Sequence, residues 1–128
     1  MVRILHVDDM RDQRELVKAV LEPVGYQVIA VESGDMAIGE LAGSDFAVVV
    51  LDLQMPNGRG ELVIQWILEN RPHLESRILV TSGDAMSAGL EAMIENLGVS
   101  WLAKPYKVED LRREVDRISK DAQGLGRS

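Results

Sequence analysis

Ala47-Val48-Val49-Val50-Leu51-Asp52-Leu53-Gln54-Met55-Pro56-Asn57-Gly58-Arg59-Gly60 is an uninterrupted apolar run that ends on one carboxylate and then breaks into a turn-rich loop. A short run of β-branched residues without polar alternation fits a strand covered on both faces, as in a parallel sheet flanked by helices. Asp52 stands where that strand emerges. In open α/β sheets, ligands bind in the crevice outside the carboxyl ends of the strands. A lone Asp at such a place would be read as a cap for the strand or the next helix, so its meaning depends on what else reaches the same edge.

The chain of 128 residues suits one domain, and 46% hydrophobic residues supply a core without any run long enough to span a membrane. There is no cysteine, which excludes a disulfide scaffold, a thiolate metal site and a Cys nucleophile. Met1-Val2-Arg3-Ile4-Leu5 enters strand-like sequence at once, without the three-part design of a signal peptide, so a cytoplasmic protein with no membrane contact is expected. The formal charge of −7 argues against direct nucleic-acid binding through a basic face. It fits either simple solubility or acids converging on a divalent cation.

Strands and helices alternate along the chain. Arg3 to Val7 reads as a strand ending on Asp8-Asp9, and Arg11 to Glu22 as a helix with Leu16, Val17, Val20 and Leu21 at helical spacing, stopped by Pro23 and Gly25. Tyr26 to Val31 is a second strand, and Ser33 caps a short helix with Met36, Ala37 and Leu41 inward. After the Asp52 loop, Gly60 to Asn70 is a helix with Leu62, Val63, Trp66 and Ile67 on one face, closed by Arg71-Pro72. Ile78 to Thr81 is a strand running into Ser82-Gly83-Asp84. Met86 to Leu97 is a helix with Leu90, Met93, Ile94 and Leu97 on one side. Val99 to Ala103 is a fifth strand, and Lys104-Pro105 precedes a last helix with Val108, Leu111, Val115 and Ile118 at 3-4-3 spacing. This alternation implies an α/β fold: a flavodoxin-like, doubly wound, five-stranded parallel sheet of order 2-1-3-4-5 with five helices. Residues 1–121 are expected to form this domain, and residues 122–128 a C-terminal tail or the start of a linker.

In that topology Asp8, Asp9, Asp52, Ser82 and Lys104 all meet at one edge of the sheet. Like charges packed together raise one another's pKa values or recruit a cation, and an all-oxygen cluster with open positions suits Mg²⁺. A metal beside a carboxylate and a Lys is what phosphoryl transfer onto an acid requires, with the ammonium neutralising equatorial oxygens. Asp52 is the candidate nucleophile, since carboxylates form aspartyl-phosphate. Taken singly each residue has a plain alternative: a helix cap for Asp8-Asp9, a turn cap for Ser82, a surface position for Lys104. Their joint placement at consecutive strand ends is the specific signal.

On Ile4-Leu5-His6-Val7-Asp8-Asp9, Val50 to Gly60, Leu79-Val80-Thr81-Ser82-Gly83 and Leu102-Ala103-Lys104-Pro105-Tyr106, the chain resembles the receiver domain of two-component response regulators, those of the chemotaxis type included. The resemblance implies that Asp52 accepts a phosphoryl group from the phosphohistidine of a sensor histidine kinase or histidine phosphotransfer protein. Mg²⁺, or Mn²⁺ in its place, would be held by Asp9 directly, by Asp8 through water, by Asp52 and by the Gln54 backbone carbonyl. Ser82 would move its hydroxyl onto the phosphate, Lys104 would pair with it, and the Lys104-Pro105 bond would be cis. Thr81 is a rival for the hydroxyl role, set aside because strand alternation turns it to the opposite face from Ser82. Trp101 falls where such domains carry an aromatic that turns inward, a switch that biases the fourth helix, fifth strand and fifth helix toward a downstream effector or a homodimer partner; a fixed core or interface aromatic is the other reading of that position. Gln54 and Asp84 flank the expected phosphate. His6 reads as packed in the first strand and His73 as solvated. The sequence departs from the family at Arg59, where an acid is common, and in the spacing of Gly98 to Lys104.

The enzymatic alternative is a small-molecule phosphatase or phosphotransferase of the haloacid-dehalogenase type. Such enzymes place an Asp two residues after the nucleophile, where this chain has Gln54. A pseudo-receiver that binds partners without phosphate is the third reading, opposed by the intact set Asp8, Asp9, Asp52, Ser82 and Lys104.

Overall fold

The computed structural model describes residues 2–55, 59–83 and 88–122, with the side chains of Arg59, Ala88, Leu90 and Met93 outside that description. The expected Met86 start of the fourth helix and Asp84 also lie outside the described residues. Strands and helices alternate as β1 (Val2–Val7), α1 (Arg11–Leu21), β2 (Tyr26–Val31), α2 (Gly34–Gly43), β3 (Val48–Asp52), α3 (Arg59–Asn70), β4 (Ile78–Ser82), α4 (Ala88–Leu97), β5 (Ser100–Ala103) and α5 (Val108–Ala122). The five strands form one sheet of order β2-β1-β3-β4-β5, every pairing parallel. This is the flavodoxin-like order expected from the sequence.

The sheet is buried on both sides because successive side chains of each strand feed different cores. Leu5, Val7, Val49, Leu51 and Val80 pack with Ala37, Leu41, Val63, Ile67 and Ile94 of α2, α3 and α4. Ile4, Val48, Val50 and Leu79 pack with Val17, Val20 and Leu21 of α1 and with Leu111, Val115 and Ile118 of α5. All five residues of β3 are buried, which is why its sequence shows no alternation. Among the described residues, no helix is long and apolar enough to cross a membrane.

The helices narrow the stripes read from the sequence. Leu16, Met36 and Leu62, expected inward, are exposed. In α3 the buried side chains are Val63, Ile64 and Ile67, with Gly60 buried at the helix start, so the inward stripe takes in Ile64, and Leu62 lies off it. In α2 the buried positions Gly34, Ala37 and Leu41 leave Met36 to one side. Two 3-10 turns, Glu22–Val24 and Pro72–Arg77, were not read from the sequence; each begins with a Pro in its first turn, and the second buries Leu74. Ser33 caps α2 as expected, its Oγ accepting from the Met36 N–H at 3.2 Å. His73 is exposed, yet it pairs with Asp45 at 3.2 Å, and Arg77 donates to the other oxygen of the same carboxylate at 3.3 Å.

Gly60, in the first turn of α3, is what lets that helix pack down on the end of β3. A Cβ there would lie 2.8 Å from the Asp52 carbonyl oxygen and 3.0 Å from Leu53 Cα, both backbone atoms that cannot step aside. Gly60→Ala is therefore expected to cost about 1–3 kcal/mol, the range for overpacking a tight contact, measured by urea unfolding. A loss below about 0.5 kcal/mol, the size of an ordinary surface change, would contradict this packing.

Candidate functional site

Parallel strands emerge on the same side, and here β1 is followed by Asp8, β3 ends on Asp52, β4 ends on Ser82 and β5 is followed by Lys104. Asp8 and Asp52 are almost wholly buried, and Asp9 is partly exposed. The Lys104 ammonium lies between the first two, with Nζ 3.1 Å from Asp8 Oδ2 and 3.4 Å from Asp52 Oδ2. The other carboxylate oxygens accept backbone N–H groups: Asp8 Oδ1 from Met10 and Asp52 Oδ1 from Gln54, both at 3.0 Å. The Arg14 guanidinium donates to the Asp8 carbonyl at 2.9 Å. Helix α1 starts from Met10 with no side-chain cap bond, so the Asp8-Asp9 pair does not serve as its N-cap.

One oxygen from each of Asp8, Asp9 and Asp52 lies within 4.8 Å of the others. At an effective dielectric of about 20, like charges at that distance repel by roughly 3.5 kcal/mol per pair. Lys104 alone cannot neutralise three carboxylates. Burial pushes the Asp52 carboxyl up, and the Asp8 charge adds to the rise; the Gln54 N–H and Lys104 oppose it without cancelling it. Burial, then Asp8 and Asp52, push the Tyr106 phenol up to about 12. His6 lies beneath the cluster with Nε2 3.7 Å from Asp8 Oδ2, and burial holds its imidazole near 4 against the pull of Asp8. It is neutral at pH 7 and adds no positive charge. Octahedral Mg²⁺ binds oxygens at about 2.1 Å and so places them about 3–4.2 Å apart. The three carboxylates need only a small contraction to meet that requirement, and their all-oxygen chemistry suits it.

The hydroxyl candidates are arranged less simply. Asp52 is paired in register with Thr81, and Ser82 with Ala103. By the alternation of the two cores, Asp52, Thr81 and Lys104 share the α1–α5 side, while Ser82 starts on the α2–α4 side, one residue nearer the loop. Both hydroxyls are buried without a hydrogen-bond partner, as is His6 Nδ1. The Ser82 carbonyl accepts the Lys104 N–H at 2.7 Å, which ties the end of β4 to the residue carrying the ammonium. The Lys104-Pro105 bond is cis. Trp101 lies on β5 with its ring exposed. A cleft of about 370 Å³ opens on this edge, lined by Gln13, Leu16, Gln54, Gly83, Lys104, Pro105 and Tyr106. Sequence reading missed Arg14 and gave Tyr106 no role; it set Gln54 beside the expected phosphate but did not foresee that its side chain accepts from the Gly83 N–H at 2.7 Å. Tyr106 follows Lys104 by two residues in the motif Leu102-Ala103-Lys104-Pro105-Tyr106, and that nearness to the ammonium is its signal in the sequence.

An Asp whose folded pKa is raised above its ordinary value of 3.8 makes a contribution to stability that is fully present below that value and is lost as pH rises through the raised one. Ionised Asp52 is therefore a net cost at neutral pH. Asp52→Asn is expected to raise Tm at pH 7.5 in chelator-treated buffer, with the gain shrinking toward pH 4. An unchanged or lower Tm at pH 7.5 would refute this reading of the electrostatics.

A sequence model of the response regulator receiver domain matches residues 4–116. The chain is 30% identical over 122 residues to the response regulator protein FleR of Pseudomonas aeruginosa, covering 95% of this chain and 25% of that one. It is 26% identical over 117 residues to the two-component response regulator ORR5 of Oryza sativa, covering 90% of this chain and 87% of that one. In fold it superposes on a CheY-like receiver domain protein from Methanospirillum hungatei with a TM-score of 0.87 at 22% identity, over 98% and 99% of the two chains. With a match that runs from β1 into α5 and takes in every strand end described above, the chain belongs to the response regulator receiver domain family.

Proposed function

We propose that this protein is a phosphorylation-controlled switch of a two-component or phosphorelay system, with Asp52 as the phosphoacceptor. The observation that carries the reading is the convergence of Asp8, Asp9 and Asp52 with the Lys104 ammonium beside one open cleft. An oxygen of the Asp52 carboxylate attacks phosphorus of a phosphohistidine on a sensor histidine kinase or a histidine phosphotransfer protein. The P–N bond breaks, its electron pair stays on the imidazole nitrogen, and that nitrogen takes up a proton. Asp52 Oδ1 already accepts the Gln54 N–H and Oδ2 faces Lys104, so the acceptor is held in one orientation before any donor arrives.

Asp8, Asp9, Asp52 and the Gln54 backbone carbonyl would hold Mg²⁺, with Mn²⁺ as a substitute. When bound, the cation offsets the charge that otherwise keeps an anionic donor from an anionic acceptor. Lys104 then pairs with the phosphoryl oxygens, and Ser82 supplies a hydroxyl that has no partner in the unphosphorylated fold. Movement of Ser82 is passed to β4 and β5, where Trp101 stands exposed, and so to the α4–β5–α5 face as a surface for an effector or a second copy. The domain is taken as residues 1–121, with 122–128 as a tail or linker start, working in the cytoplasm without direct contact with nucleic acid or membrane.

With acetyl phosphate and Mg²⁺ the protein is expected to gain one acid-stable, hydroxylamine-labile phosphoryl group, abolished in Asp52→Asn. Labelling of that variant at the parent rate would remove Asp52 from its role. Ser82→Ala should slow labelling more than Thr81→Val, and the reverse order would give the hydroxyl function to Thr81. In a Trp66→Phe background, beryllofluoride with Mg²⁺ should change Trp emission through Trp101. An unchanged spectrum would identify Trp101 as a fixed surface aromatic.

A further inference from the structure

Resting on the assignment of Asp52 as phosphoacceptor, we propose that the Gln54 side chain is a latch that occupies part of the phosphoryl-binding site in the unphosphorylated protein and must leave it when the phosphoryl group arrives. A phosphoryl group on Asp52 brings three oxygens that need donors. The donors on the cleft include the Lys104 ammonium and the Gly83 N–H, the latter adjoining the buried Ser82 hydroxyl. The Gly83 N–H is already taken, because Gln54 Oε1 accepts it at 2.7 Å. A neutral amide oxygen thus sits where an anionic oxygen would bind more strongly.

The chain around Gln54 is built to deliver that oxygen. The Leu53 N–H donates to the Thr81 carbonyl at 3.1 Å, carrying the β3–β4 pairing one step past Asp52. The Gln54 N–H then turns back to Asp52 Oδ1 at 3.0 Å, and its side chain crosses to the β4 end. One residue therefore touches both the acceptor carboxylate and the loop after Ser82, so a change at Asp52 reaches Gly83 through Gln54. Glycine at position 83 is a condition for the latch. A Cβ there would overlap Gln54 Oε1, and what would have to move is the far end of a flexible side chain, not backbone. Gly83→Ala thus opens the latch while leaving the N–H in place, and Gln54→Ala opens it from the other side.

Both variants are expected to bind beryllofluoride in the presence of Mg²⁺ roughly 3- to 10-fold more tightly than the parent by titration calorimetry, the range for releasing one neutral hydrogen bond. The double variant should gain no more than the better single one, because both remove the same contact. Without ligand, the Gly83 amide of Gln54→Ala should exchange with solvent faster than in the parent, and its urea midpoint should be equal or lower. A residue with only a structural role would give weaker beryllofluoride binding, not tighter. Equal or weaker binding in Gln54→Ala overturns the latch alone, whereas a parent that takes up no beryllofluoride overturns the acceptor assignment and the latch with it.

Discussion

Two carboxylates drawn out of water around one ammonium are the constraint that the rest of the molecule serves. Asp8 and Asp52 belong to adjacent strands, and burial without Lys104 would leave each with an uncompensated charge; breaking such a pair costs about 3–5 kcal/mol. The fold meets this cost with geometry fixed by backbone. The parallel β1–β3 register sets the two acids side by side, β5 returns Lys104 to the same edge, and the N–H groups of Met10 and Gln54 take the outer oxygens. The compensation is deliberately incomplete in its effect: the Asp52 carboxyl is still pushed up, so the site retains a demand for further positive charge.

That demand explains why a sheet with both faces covered is the right support. A strand such as β3, buried at every position, cannot shift its register without exposing one of two cores, so the acid at its end is held to a fixed position. Gly60 removes the last obstacle by letting α3 begin directly against the Asp52 carbonyl. The neutral His6 beneath Asp8 fits the same logic: a charged imidazole there would satisfy Asp8 from below and weaken its pull on anything bound in the cleft.

The parts of this arrangement that follow from chain connectivity were legible in the sequence. Strand-ending residues in a parallel sheet must share an edge, so Asp8, Asp52 and Lys104 could be brought together from spacing and pattern alone. What was not legible depends on angles that periodicity leaves open. Leu16, Met36 and Leu62 fit an apolar stripe by count yet lie on its solvent margin, because a stripe about 100° wide admits a neighbouring position that only packing excludes. The sequence also could not show that register sets Thr81, not Ser82, directly beside Asp52, since register is a relation between strands. Nor could it show the Gln54–Gly83 bond, which joins two loops 29 residues apart through a side chain with no periodic signature.

The two hydroxyls lying on opposite sides of the sheet bear on how a change at the edge can travel. Asp52 and Lys104 lie on the side covered by α1 and α5, whereas Ser82 begins on the side covered by α2, α3 and α4, so an event that recruits Ser82 must act across the sheet edge. Its backbone carbonyl is bonded to the Lys104 N–H, which couples that motion to β5. Every residue of β4 is buried, while β5 has four residues that are alternately half-buried and exposed. An element with fewer buried apolar contacts opens at lower free energy. If the proposed switch operates, a displacement generated between Ser82 and Lys104 would be resisted by β3 and β4 and would yield toward β5, the outer strand that carries the exposed ring of Trp101.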